Sequence, residues 1–284
     1  EDGIRDCLLS RGLGDVYKRQ VSGTVSVADA NTISGKTSGA VTATIATGSF
    51  TALNALNETN NAFALTLNET ISVNNANTLD AKTTGVVTAT ITSGDYAVVN
   101  ALNGTGNAYA VTVNDSITVA EADALAAKTT GVVTATLSTG DMATLAGLNE
   151  TGNAYTITIT DTSATAAALT ALDAKTTVAV QAGNVTSLSG TATEVIAAYA
   201  ADAATTIVLD GDETVSVSGT VSVADANTIS GKTSGAVTAT IATGSYTALN
   251  ALNETNNAFA LTLNETITVA QADALDAKTT GVVT

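Results

Sequence analysis

Residues 116–137, SITVAEADALAAKTTGVVTATL, carry two hydrophobic periodicities in one run. Val119, Ala122 and Leu125 lie three apart, which puts them on one side of a short helix. Val133, Ala135 and Leu137 alternate with Thr134 and Thr136, the pattern of a strand with one buried face. The chain then repeats the idea. In TGDMATLAGLNETGN, Met142, Leu145 and Leu148 again lie three apart, and YTITIT at 155–160 turns Tyr155, Ile157 and Ile159 inward. Ala-rich helices of about ten residues are marginal alone, so packing must hold them.

Outward from this stretch the pattern recurs. AKTTG or GKTSG, with one divergent AKTTV, places Lys36, Lys82, Lys128, Lys175, Lys232 and Lys278 at spacings of 46, 46, 47, 57 and 46. At an offset of 196, Val21–Val73 returns as Val217–Val269 with only Phe50→Tyr246 and Ser72→Thr268 changed. Interleaving Ile33, Leu56, Leu79, Leu102, Leu125, Leu148, Leu172, Val195, Ile229, Leu252 and Leu275 gives steps of 23, broken by one 24 and one 34. A hydrophobic ladder of this period marks a solenoid in which each coil adds a rung to a continuous core. The expected fold is therefore α/β: a repeat solenoid of about 23-residue strand–helix coils with a stacked parallel sheet. The alternative is a string of small β-sandwich modules, against which the Ala-rich helical segments and the 23-residue step both argue.

Three segments follow. Residues 1–20, EDGIRDCLLSRGLGDVYKRQ, hold Arg5, Arg11, Lys18, Arg19 and the single Cys7, and DVYKRQ resembles a translated sequencing-library tag. They are expected to be an artefactual leader that adds no rung. Residues 21–216 form a four-unit supermodule, and 217–284 begin a second that is expected to be cut short. The long step from Val195 to Ile229 predicts a bulge or hairpin-like excursion in ATTIVLDGDETVSVSGT, where Asp210-Gly211 separates Ile207–Leu209 from Val215–Val217.

Composition removes whole classes of function. The chain has no His and one Cys, so it holds no Ser-His-Asp triad, no Cys–His pair and no ordinary zinc site. A net charge of −16 from 26 acidic and 10 basic residues opposes nucleic acid. Apolar runs of only a few residues span no membrane. Every acid has equivalents in other copies, so no catalytic pair can be argued and no enzyme is expected.

What remains are surface patterns. Thr42 and Thr44, Thr88 and Thr90, Thr134 and Thr136 form outward TxT pairs, with Thr66, Asn68, Thr112, Asn114, Thr156 and Thr158 between them. Strands stacked about 4.8 Å apart would align these into files of hydroxyl and amide groups. That is a candidate face for polysaccharide or ice, although Thr is also an ordinary exposed strand residue. Asp210, Asp212 and Glu213 crowd one turn and form a candidate Ca²⁺ site of oxygen ligands, without EF-hand spacing. A solvated acidic turn is the competing reading. Glu69, Asp115, Asp161 and Glu265 are expected to cap the segments after them, Asp95, Asp141, Ser49 and Ser245 to cap helix starts, and the lysines to offset helix C-termini. Asn57, Asn68, Asn103, Asn114, Asn149, Asn184, Asn253 and Asn264 occur in NxT or NxS strings, glycan acceptors in a eukaryotic secreted protein, and read here as turn residues.

At AKTTGVVTAT, at GLNETGNAYTITITDT (147–162) and at VTSLSGTATEVIAAYA (185–200), the sequence resembles very large repeat proteins of marine bacteria and cyanobacteria. The resemblance implies a secreted or surface-displayed protein. The RTX calcium motif that accompanies some of them is missing here, so it does not carry Ca²⁺ over. Together the readings predict a non-enzymatic structural or adhesive repeat region of a large extracellular or cell-surface protein. Polysaccharide or a neighbouring cell surface would be its partner. The second reading is a dedicated binding module for Ca²⁺, polysaccharide or ice.

Overall fold

A computed structural model describes residues 19–253 and 255–284. In chain order the elements are β1 (Arg19–Val25), α1 (Val27–Ser34), β2 (Val41–Ile45), α2 (Phe50–Leu53), β3 (Ala62–Ile71), α3 (Val73–Asp80), β4 (Val87–Ile91), α4 (Tyr96–Val99) and β5 (Ala108–Ile117). There follow α5 (Val119–Ala126), β6 (Val133–Leu137), α6 (Met142–Leu145), β7 (Ala154–Thr156), β8 (Ser163–Thr165), α7 (Ala166–Asp173), β9 (Val180–Gln181), β10 (Ser187–Thr191) and α8 (Ala192–Ala203). The last are β11 (Ile207–Val208), β12 (Thr214–Val221), α9 (Val223–Ser230), β13 (Val237–Ile241), α10 (Tyr246–Leu249), β14 (Ala258–Ala260) and α11 (Val269–Asp276). Two kinds of coil alternate, one with an eight-residue helix and one with a single-turn helix of four residues, except that the twelve-residue α8 stands between the eight-residue α7 and α9.

The chain divides into two compact units. The first takes the described residues up to Thr92, with Ala101–Val111 and Lys128–Gly131; the second takes Ser93–Asn100, Thr112–Ala127 and Val132–Thr284. In the first, each strand pairs in parallel with its neighbours in sequence: Gln20 beside Thr42, Ala43 beside Phe63, Leu65 beside Val87, and Ala89 beside Tyr109. In the second, β6 pairs with β7. There β8, β10, β12, β13 and β14 form a parallel five-stranded sheet, and β9 pairs with β11. Strand, helix and strand stacked coil on coil in parallel register is the arrangement of a strand–helix repeat solenoid. No helix among the described residues is long and apolar enough to cross a membrane.

Local sequence explains the elements. Every eight-residue helix starts at a Ser or Thr N-cap whose hydroxyl accepts from the amide three residues further on, as Ser72 does from Asn75 N at 3.2 Å. Thr118 and Glu121 close a capping box, as do Thr268 and Gln271. Val119, Ala122 and Leu125 are the buried residues of α5, and Val133, Ala135 and Leu137 those of β6. The ladder is buried from Leu56 to Leu275, with Ile33 of α1 half-buried. Beside it runs a row of fully buried aromatics, Phe63, Tyr109, Tyr155 and Phe259, one from each regular strand that follows a single-turn helix. Burial pushes the Tyr155 hydroxyl up to about 12, with the charges of Asp123 and Glu150 adding to the effect.

Arg19 and Gln20, the last two residues of the expected leader, pair with Val41 and Thr42 in β1. Residues 1–18, with Cys7, lie outside the described residues. The long step at 195–229 is not a hairpin. Ile207–Val208 pairs in parallel with Val180–Gln181, and Thr214–Val221 pairs in parallel with Ser187–Thr191. The extra length goes into α8, a twelve-residue helix whose Val195, Ala198 and Tyr199 are buried. The Asp-Gly signal is a real turn, with Gly211 at φ +73°, but it joins strands of two different sheets. Both apolar runs are buried against parallel neighbours, and this removes any need for them to pair with each other.

The two faces differ in energetic weight. Leu125→Ala should lower stability by about 2–5 kcal/mol in urea unfolding, the usual range for emptying a filled core site. Thr134→Ala, on the exposed face of β6, should cost a small fraction of that. Equal losses would mean that the faces are wrongly assigned.

Candidate functional site

The repeated AKTTG string acts between coils. Lys82 Nζ donates to the Leu56 carbonyl at 2.7 Å, Lys128 to Leu102 at 2.8 Å, Lys175 to Asn149 at 2.9 Å and Lys278 to Leu252 at 2.8 Å. Each acceptor lies just past a single-turn helix one coil back, so the lysines serve a neighbouring helix rather than their own. The Thr after Lys82, Lys128 and Lys278 is buried in the stack. Thr83 Oγ1 accepts from the Phe63 and Gly85 amides at 2.8 and 2.9 Å and donates to the Phe63 carbonyl at 2.8 Å. Thr129 does the same with Tyr109 and Gly131, and Thr279 with Phe259 and Gly281. The Gly completes the motif through close approach, since a Cβ on Gly85, Gly131 or Gly281 would run into the carbonyl of Phe63, Tyr109 or Phe259.

The recurring carboxylates work from the other end of the same short helices. Glu69 accepts from Phe50 N at 2.6 Å, Asp115 from Tyr96 N at 2.7 Å, Asp161 from Met142 N at 2.7 Å and Glu265 from Tyr246 N at 2.6 Å. The expected cap on the following segment is thus a cap on the first amide of the helix one coil back. Ser49, Asp95, Asp141 and Ser245 are the N-caps of α2, α4, α6 and α10. Bonds from the Thr144 hydroxyl, then from the Thr144 amide, hold Asp141 below the usual carboxylate range.

The outward hydroxyls are exposed apart from half-buried Thr42, but their files are not those that uniform stacking predicts. Thr42 and Thr44 lie beside Ala62 and Ala64; Thr88 and Thr90 lie beside Ala108 and Ala110 on one side and Thr66 and Thr70 on the other. Asn68 is displaced from the file by a register shift between Thr66 and Thr70. Thr134 lies beside Ala154, while Thr136 meets Thr156 directly. Thr158 bridges to Gln181. Thr112 and Asn114 are exposed and share Gly94 through their backbone groups. Thr and Ala therefore alternate across these coils.

The densest hydroxyl array lies elsewhere, in the five-stranded sheet of the second unit. Thr165, Ser189, Ser216 and Thr238 stand on four successive strands in register, and Ser163, Ser187 and Thr214 form the adjoining row. The signal for it was the alternation in SAT, SLS and TVSVS. Aligning those three strings needs the long helix between them, which the ladder alone did not reveal.

The acidic turn separates rather than converges. Glu213 is fully buried, accepting from Tyr199 Oη at 3.1 Å and from Gly211 N at 3.0 Å. Asp210 and Asp212 stay exposed. Among the described residues no group of three or more His, Cys, Asp or Glu side chains gathers in a metal-holding arrangement. The three carboxylates proposed for Ca²⁺ are therefore not brought together. Compared with known proteins, the chain matches no family model, no curated protein and no solved structure.

The bond from each of these four lysines to a neighbouring coil should be measurable. Lys128→Met keeps much of the side chain's length but leaves the Leu102 carbonyl without its charged donor. It should lower stability by about 1.5–3 kcal/mol in urea unfolding, the range for a hydrogen bond to a charged group. Lys128→Arg should recover part of the loss.

Proposed function

We propose that the chain is a non-enzymatic structural and adhesive repeat region of a large extracellular or cell-surface protein. The observation that carries this reading is where the recurring polar residues go. Lysines, carboxylates, Thr and Gly of the repeat are spent on bonds between one coil and the next, as Lys82–Leu56, Glu69–Phe50 and Thr83–Phe63 show. Such a design favours length and resistance to load over a reaction centre. Single-molecule pulling of the intact chain should give a train of short release steps, as expected where each coil is held mainly by its neighbours. Smooth extension at low force would overturn the structural reading.

The adhesive part is favoured by the hydroxyl array of the second unit. Its rows stand on a parallel sheet, where neighbouring strands lie about 4.8 Å apart. Polysaccharide, which offers hydroxyl donors and acceptors in repeating order, is the partner that fits it. Retention of the chain on immobilised neutral polysaccharides should fall when Ser189 and Ser216 are both replaced by Lys. Unchanged retention, or none in the parent chain, removes this part while leaving the structural reading intact.

A further inference from the structure

One of four equivalent loops differs from the rest in a way that changes its chemistry. After each single-turn helix the chain reads Asn57-Glu58, Asn103-Gly104, Asn149-Glu150 and Asn253-Glu254. Asn103-Gly104 is the one Asn-Gly pair in the sequence. The cause lies one coil back, at the end of the eight-residue helix. Asp80 ends α3 and its Oδ1 accepts from the buried Asn107 Nδ2 at 2.6 Å. That carboxylate lies against the backbone at position 104, where a Cβ would stand 2.6 and 2.7 Å from its two oxygens. Only Gly fits. Where the helix ends in a small residue instead, at Ser34, Ala126 and Ser230, the loop position carries Glu. The pairing of Asp80 with Gly104 is thus a packing solution. It satisfies Asn107, whose equivalents Asn61 and Asn257 keep a buried Nδ2 without a partner.

We propose that this packing makes Asn103 a site of spontaneous covalent modification, converting to aspartate and isoaspartate in the folded chain. Asn103 is exposed, and its backbone amide is held by Asn77 Oδ1 at 2.9 Å. Gly104 has no side chain to hinder its own nitrogen and the widest backbone freedom of any residue. The Gly104 nitrogen attacks Asn103 Cγ, forming the N–Cγ bond of a succinimide. The Cγ–Nδ2 bond breaks, and the leaving nitrogen takes up the Gly104 amide proton to depart as ammonia. Water then opens the ring at either carbonyl, leaving a carboxylate on the side chain or, in isoaspartate, in place of the backbone carbonyl. Asn149 is restrained in two ways that Asn103 is not: a Glu follows it, and its Nδ2 donates to Asp123 Oδ2 at 2.8 Å. Either product sets a new negative charge near Asp80. Isoaspartate also lengthens the backbone between α4 and β5, beside the amide that Asn77 clamps.

The test is incubation of the intact chain at mildly alkaline pH, followed by peptide mass mapping and isoaspartyl methyltransferase labelling. Conversion should appear at Asn103 and be missing at Asn57, Asn149 and Asn253. Replacing Asp80 with Ser and Gly104 with Glu together copies the pairing at Ser34 and Glu58, and should abolish the conversion while the urea midpoint confirms folding. Asn103 that stays intact while the urea-unfolded chain converts would overturn the proposal. So would equal conversion at all four loops, or conversion that survives the double replacement.

Discussion

A four-residue helix has almost no intrinsic stability, because nucleation fixes several residues for a single hydrogen bond. The regular coils contain such a helix at α2, α4, α6 and α10, and its ends are closed from outside. A carboxylate of the following coil takes the first amide: Glu69 for α2, Asp115 for α4, Asp161 for α6 and Glu265 for α10. A lysine of that same coil takes a carbonyl just past the helix end. Both charges suit the helix dipole, negative at the N-terminus and positive at the C-terminus. The single-turn helix exists because the next coil is in place, and this makes folding of one coil conditional on its neighbour.

The longer helices are tied forward in the same manner. Asn77 at the outer face of α3 accepts from Asn103 N and donates to the Ala101 carbonyl, gripping the chain one coil further on. Asn31 and Asn227 repeat the grip on Asn57 and Ala55, and on Asn253 and Ala251. Asp123 replaces Asn in α5, and the grip survives because Asn149 now supplies both donors, through its backbone N and its Nδ2. Within each unit, polar bonds therefore run in both directions along the chain, and the apolar ladder supplies burial rather than register. A period of about 23 residues is long enough for one strand, one helix and two turns, but too short for any coil to bury its own faces.

This division explains what could be read from sequence. The ladder and the period-2 strands were legible because they depend only on spacing: Leu79, Leu125 and Leu275 are buried as their positions require. The N-caps at Ser49 and Asp141 were legible because capping is local. The lysines and the carboxylates after the strands were assigned to the right kind of interaction but the wrong helix, since their partners lie 19 or 26 residues back in sequence. No local rule reports such a distance. The outward face failed for a related reason. Alternation within one strand says which residues point out, but the register shift between Thr66 and Thr70 decides which of them stand side by side. At the acidic turn, spacing alone could not tell that Glu213 is buried while Asp210 and Asp212 stay exposed.

That buried residue shows how the repeat absorbs a substitution in its own core. Thr233 donates to the Glu213 carbonyl at 2.6 Å, just as Thr83, Thr129 and Thr279 donate to Phe63, Tyr109 and Phe259. Glu213 therefore stands where the regular coils place an aromatic ring. A carboxylate there is costly unless its oxygens find donors and the lost volume is refilled. Tyr199 does both, bringing a ring and a hydroxyl from α8, and the amide of Gly211 takes the second oxygen. Burial, with the Glu213 charge beside it, pushes the Tyr199 hydroxyl upward, so the phenol stays a donor. The aromatic is thus moved from strand to helix, and the helix must be long enough to reach: Tyr199 lies near the middle of α8, at a position the single-turn helices do not have. On this account the 34-residue step, the twelve-residue helix and the acid in the core are one structural event. The ladder and the Asp-Gly turn were only its outermost traces in the sequence.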